Sequence, residues 1–126
     1  MISGTQRCHW LPGTVLFLAG TLLGTALSLA RNPAKSPVAT TILDNSRVQV
    51  NRVLHEQASV RAPHTRPQDQ VIVFLDEASY EVVYANGKKE QRERTSGDVI
   101  WHSRGEEAPT LNNIGKTYRT VVVNIK

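Results

Sequence analysis

His64, Arg66 and Gln70 stand at even spacing just ahead of an apolar run, Val71-Ile72-Val73-Phe74-Leu75. On an extended chain even spacing puts side chains on one face. A single alternation through residues 64–74 therefore predicts that His64, Arg66, Gln70, Ile72 and Phe74 point the same way, with Pro67 as the residue able to shift the phase. The three polar members define the available chemistry. An imidazole can ligate a metal or move a proton. A guanidinium brings a fixed positive charge and a planar fork of donors that matches a carboxylate. A neutral amide donates and accepts. A divalent transition metal wants several imidazoles or anionic carboxylates and is repelled by a guanidinium. The set suits a small anionic or hydroxyl-bearing ligand, such as a carboxylate held by Arg66. In the other arrangement open to these residues, Arg66 lies at a mouth, paired to Asp69 or Glu107, with no ligand.

The remaining reactive side chains are less suggestive. His55 and His102 are not at metal-ligand spacing to His64, so each is expected to be a packed or surface histidine. Ser103 has no evident His and Asp partners for nucleophilic catalysis. Cys8 is the only cysteine. No glycine-rich phosphate loop, paired-cysteine site or dinucleotide fingerprint is present.

A second stretch, Gly97-Asp98-Val99-Ile100-Trp101-His102-Ser103-Arg104-Gly105-Glu106-Glu107-Ala108-Pro109-Thr110-Leu111-Asn112, brackets an apolar run between two glycines and closes on an asparagine. This reads as a turn, a short strand, a second tight turn and a polar lead into another strand. Together with residues 63–75 it resembles the paired motifs of the cupin superfamily. That family's first motif has two histidines separated by one residue and a glutamate four further on, and here His64, Arg66 and Gln70 fall on those positions. Its second motif is matched by Gly97, Gly105 and Asn112, while Ser103 replaces a proline and Ala108 a histidine. The resemblance implies an all-β, double-stranded β-helix (jelly-roll) barrel over residues 47–126. It also implies that Gly97, Gly105 and Asn112 are structural, and that three of four metal-ligand positions no longer hold the family's histidine or glutamate. The expectation is a barrel with no metal and no other cofactor, a small-molecule or partner-binding module rather than an enzyme, with His64, Arg66 and Gln70 binding the ligand. The alternatives are a cupin-type enzyme, either a metal-dependent oxygenase or isomerase with a rebuilt ligand set or a metal-free lyase or isomerase using His64 as base, and a barrel packed solid.

The elements that must position these residues read as strands. A first strand starts at Arg47, with imperfect alternation, and continues from Leu54 to Val60. Val71–Leu75 is too short for a helix and suits a strand covered on both faces. Tyr80–Tyr84 is rich in β-formers, Asn86-Gly87 is a strong hairpin signal, and the return strand 88–95 is polar on both faces, as an edge should be. Val99–Trp101 and residues 117–125 complete the set, with Val121, Val123 and Ile125 on one face. Trp101 and Phe74 are expected in the core, and Tyr80, Val82 and Tyr84 on a shared face.

Residues 1–30 differ from the rest. Arg7 and the amino terminus precede an uncharged apolar run that ends in Ser28-Leu29-Ala30, with small residues spaced as at a signal-peptide cleavage site. The expectation is an exported protein, periplasmic or secreted, free of the membrane once the leader is removed; the alternative is an anchor formed by residues 11–30. Residues 31–46, with Pro33 and Pro37, read as a linker. The chain carries 15 basic and 11 acidic residues. The run Lys88–Arg94 mixes both signs without an aromatic, which argues against a nucleic-acid surface. A barrel of this size is expected to form a symmetric homodimer.

Overall fold

A computed structural model describes residues 32–126. The leader expected over residues 1–30 lies outside them. The described residues contain eleven strands and no helix: β1 (Val38–Asp44), β2 (Val48–His55), β3 (Val60–Arg61), β4 (His64–Thr65), β5 (Asp69–Phe74), β6 (Ala78–Val83), β7 (Lys89–Arg94), β8 (Val99–His102), β9 (Glu107–Ala108), β10 (Thr110–Asn113) and β11 (Tyr118–Ile125). They form a five-stranded sheet in the order β1-β2-β11-β5-β8, a four-stranded sheet in the order β3-β10-β6-β7, and the short pair β4-β9. All pairings are antiparallel. The inner faces of the two larger sheets enclose the core, as in a double-sheet jelly roll.

The turns follow from local chemistry. Asn86-Gly87 closes the β6–β7 hairpin, with Gly87 at φ 83° and its N–H donating to the Tyr84 carbonyl at 2.9 Å. Gly105, at φ 84°, lets its N–H reach the Arg66 carbonyl at 2.9 Å and so ties the β8–β9 turn to the chain beside β4. An L side chain is strained at such a φ, which is why glycine stands there.

The core is aromatic. Phe74, Tyr80 and Tyr118 are each under 5 % exposed. Their ring centroids lie 6.1 to 6.4 Å apart in all three pairings. Offset rings at such distances add about 0.5–1.5 kcal/mol per pair beyond burial.

Three sequence expectations need correction. Residues 38–44 are not linker: β1 pairs with β2 from Val38↔Leu54 to Asp44↔Gln49. The turn between these strands is built on Asn45, whose Oδ1 accepts the N–H groups of Arg47 at 2.8 Å and Val48 at 3.0 Å. Every residue of β1 is exposed, so no burial pattern announces it. The first long strand stops at His55, and Glu56–Ser59 forms a turn with Ala58 at φ 62°. Trp101 is not core but 53 % exposed, because Ile100 and His102 take the inward positions of β8.

Candidate functional site

The barrel interior holds a cavity of about 180 Å³. Part of its lining is apolar, from Ile72, Phe74, Tyr80, Val82, Leu111 and Tyr118, and part is polar and basic, from His55, Arg61, His64, Arg66, Gln70 and His102. His64, Arg66, Gln70, Ile72 and Phe74 all border this one cavity, although the chain bends at residues 67–68 and Gln68 is not part of the lining.

Arg66 is the most firmly held of the polar lining residues. It is only 5 % exposed. Its backbone is fixed from both directions, the N–H donating to the Glu106 carbonyl and the carbonyl accepting from Gly105, each at 2.9 Å. Its Nη1 donates to Gln70 Oε1 at 2.6 Å, and Gln70 Nε2 donates in turn to Asn124 Oδ1 at 2.8 Å. Its Nε–H is buried with no partner among the described residues. Among the described residues no carboxylate forms an ion pair with it: Asp69 accepts from the Arg104 N–H at 2.7 Å, and Glu107 accepts from the Thr65 hydroxyl at 2.6 Å. Burial holds the Arg66 guanidinium below the ordinary arginine value, partly offset by the charge of Glu106.

Sequence reasoning did not single out Arg61. It borders the same cavity, donates from Nη2 to the Pro109 carbonyl at 2.7 Å, and also keeps a buried Nε–H without a partner. Burial and the charge of Arg66 lower its pKa. Two guanidiniums close enough to disfavour each other, with no buried carboxylate between them, make an anion-accepting end.

The histidines are placed differently from one another. His64 is exposed, with Nδ1 3.3 Å from the Ala62 carbonyl. His102 is half-buried at the cavity, and its Nδ1 sits 3.1 Å from Glu106 Oε2. Burial is the first cause of its lowered pKa. His55 is packed, as expected, but it also borders the cavity: its ring stacks on Tyr118 at 4.4 Å and 9°, and Nε2 lies 3.3 Å from Thr120 Oγ1. Asn113 fixes the turn after it, donating from Nδ2 to the carbonyls of His55, Glu56 and Lys116, each at 3.0 Å. Asn112, the residue that matches the motif, lies away from the cavity lining and donates from Nδ2 to Glu81 Oε1 at 3.2 Å.

The donor set does not fit a metal. Pairing of β4 with β9 sets His64 opposite Ala108, which offers no ligand atom. Arg66 and Gln70 are hydrogen-bonded to each other, so the amide oxygen already faces a cation that is part of the chain. No group of three or more His, Cys, Asp or Glu among the described residues is arranged to hold a metal ion. Protein incubated with iron, manganese, nickel and zinc and then desalted is expected to retain well under one equivalent of each. Near-stoichiometric metal that is lost in His64→Ala would contradict this.

Comparison with solved structures places the fold. The chain is similar to a cupin domain from Bordetella pertussis Tohama I, with 20% identity and a TM-score of 0.67 over 75% of this chain and 98% of that one. It is similar to the polyketide cyclase RemF from Streptomyces resistomycificus, with 20% identity and a TM-score of 0.58 over 75% and 70%. It is also similar to the DMSP lyase DddQ from Ruegeria pomeroyi, with 13% identity and a TM-score of 0.58 over 72% and 47%. No protein-family model matches the chain, and no curated protein does. The described residues thus have the cupin fold, the double-stranded β-helix. Identities this low speak for the architecture and leave the role to the site.

Proposed function

We propose that the protein is a metal-free binding module whose barrel takes a small carboxylate with an apolar body. The observation that carries this is Arg66, a buried guanidinium that has, among the described residues, an unspent Nε–H and no carboxylate partner. Leaving such a group unpaired is costly, and an anionic ligand removes that cost. Arg61 adds a second cation to the lining, near enough to Arg66 to feel its charge, and the aromatic side chains of the same cavity suit a flat apolar group. An engineered cavity of about 150 Å³ holds benzene, so the interior accommodates a ligand on the scale of benzoate or phenylacetate. Titration calorimetry with benzoate tests this; no heat of binding with any aryl or short alkyl carboxylate would reject it. A chemical change in bound ligand, followed by NMR, would move the reading to catalysis, with His102 and Glu106 better arranged for proton transfer than His64. Nothing in the charge pattern supports a nucleic-acid partner.

The same reading takes residues 1–30 as an export leader, on their uncharged run and Ser28-Leu29-Ala30. Intact mass of protein from the native host should begin near Arg31. A mass that includes the leader, found in the membrane fraction, would favour the anchor.

A further inference from the structure

The Arg66 guanidinium and the His102 imidazole stand beside the same amide, that of Gln70. Arg66 Nη1 donates to Gln70 Oε1 at 2.6 Å. Register sets Gln70 directly opposite His102 in the β5–β8 pair. Residues so paired have Cβ atoms about 4.5–5.5 Å apart and side chains on one face. Both border the cavity, so both side chains turn inward. Gln70 itself has nothing left to offer, because its Nε2 donates to Asn124 Oδ1 at 2.8 Å. A small molecule that meets Arg66 here therefore lies within reach of His102.

The outer partner of the imidazole sets what it presents to the cavity. Nδ1 sits 3.1 Å from Glu106 Oε2, and Glu106 is exposed and outside the lining. An ionised carboxylate only accepts, so the proton of this bond is on Nδ1. Burial favours the neutral ring. In that tautomer Nε2 is an acceptor, turned away from Glu106, and it makes no hydrogen bond among the described residues. A carboxylate oxygen has no proton to give it. A hydroxyl has one. The cation that holds the acid thus has a bare acceptor next to it.

We propose that the ligand is a 2-hydroxycarboxylate, with its carboxylate on Arg66 and its hydroxyl donating to His102 Nε2. This rests on the reading of the cavity as a carboxylate site and adds the second functional group. The aromatic side chains Phe74, Tyr80 and Tyr118 of the lining receive the substituent on the hydroxyl-bearing carbon. Three unlike contacts around one carbon fix its configuration, so the site selects one enantiomer.

Titration calorimetry near pH 7.5 with phenylacetate and with each enantiomer of mandelate, which differs from it by one hydroxyl, tests the proposal. One enantiomer is expected to bind about tenfold more tightly than phenylacetate, the worth of one hydrogen bond to an otherwise unpaired acceptor. His102→Phe keeps a ring and removes the acceptor, and should bind that enantiomer and phenylacetate alike. His102→Gln keeps an acceptor oxygen and should retain part of the preference. Circular dichroism melting confirms that each variant is folded, and the wild-type comparison decides by itself if one is not. Phenylacetate that binds while neither enantiomer binds more tightly overturns the proposal and leaves the carboxylate site standing. A preference that survives intact in folded His102→Phe overturns it as well, because another group then holds the hydroxyl. Failure of all three acids to bind rejects the carboxylate site, and the proposal with it.

Discussion

Arg66→Ala is expected to lower the affinity for benzoate by roughly 100-fold or more, equivalent to losing about one to two charge-assisted hydrogen bonds. Arg66 Nη1 is committed to Gln70, so the ligand is offered the remaining N–H groups, Nε–H among them. Arg66→Lys keeps the charge but not the fork, and should fall between the two. The fold should tolerate the loss. Both backbone bonds of residue 66 persist in any variant except proline. Removing a buried, unpaired cation relieves its desolvation, while the orphaned Gln70 Oε1 costs about 1–3 kcal/mol. These oppose each other, so the unliganded melting temperature should change little. Saturating benzoate should raise the melting temperature of wild type and not of Arg66→Ala, since only the state that binds is stabilised. Arg104→Ala, on an exposed side chain outside the cavity lining, is the control and should bind normally. If Arg66→Ala binds benzoate as tightly as wild type, the carboxylate is not held by Arg66 and the proposed site is wrong.

How much of this site could be read from sequence depended on whether alternation survived the prolines. The chain bends at Pro67 and Gln68, and Gln68 leaves the lining, but the phase is recovered at β5, so that His64, Arg66, Gln70, Ile72 and Phe74 share the cavity. Upstream it did not help, because β3 is two residues long and is separated from β4 by Ala62-Pro63, so no run exists from which to phase Arg61 inward. His102 was missed for a different reason. Counting Trp101 as core sets β8 in the wrong phase; had Ile100 been taken as inward, His102 would have followed two residues on. Residues 71–75 show how a correct pattern can be misassigned. The run is apolar on both faces, as expected, yet Val71 and Val73 remain only half-buried, since nothing among the described residues covers the outer face. The glycines were legible because a positive φ is a backbone requirement that sequence states directly, at Gly97 and Gly105 alike.

Stability should fall as the pH drops from about 6.5 toward 4, and His55 should account for much of the fall. His55 is 7 % exposed, its ring is stacked on Tyr118, and its Nδ1 has no partner among the described residues. Burial, with the charge of Arg61 behind it, pushes the imidazole down from 6.5 to about 4. Between those values the unfolded chain takes up a proton that the folded chain refuses. Stability therefore rises with pH across the window, is fully present above the unfolded value, and is lost as the pH falls through the window to the folded value. A shift of this size corresponds to about 3 kcal/mol over the whole interval, a large share of what a small domain has to spare. The carboxylates with lowered pKa values, Asp44, Asp76, Glu90 and Glu106, titrate at more acid pH, so the upper part of the window belongs to His55 and, with the same sign, to the half-buried His102. Urea unfolding at intervals from pH 7.5 to 4.5, without ligand, reads the slope. His55→Gln keeps a polar group beside Thr120 but cannot titrate; whatever it costs at pH 7, it should flatten the slope between pH 6.5 and 5. An unchanged slope in His55→Gln would place the titrating group elsewhere and show that His55 already sheds its proton penalty in the folded barrel.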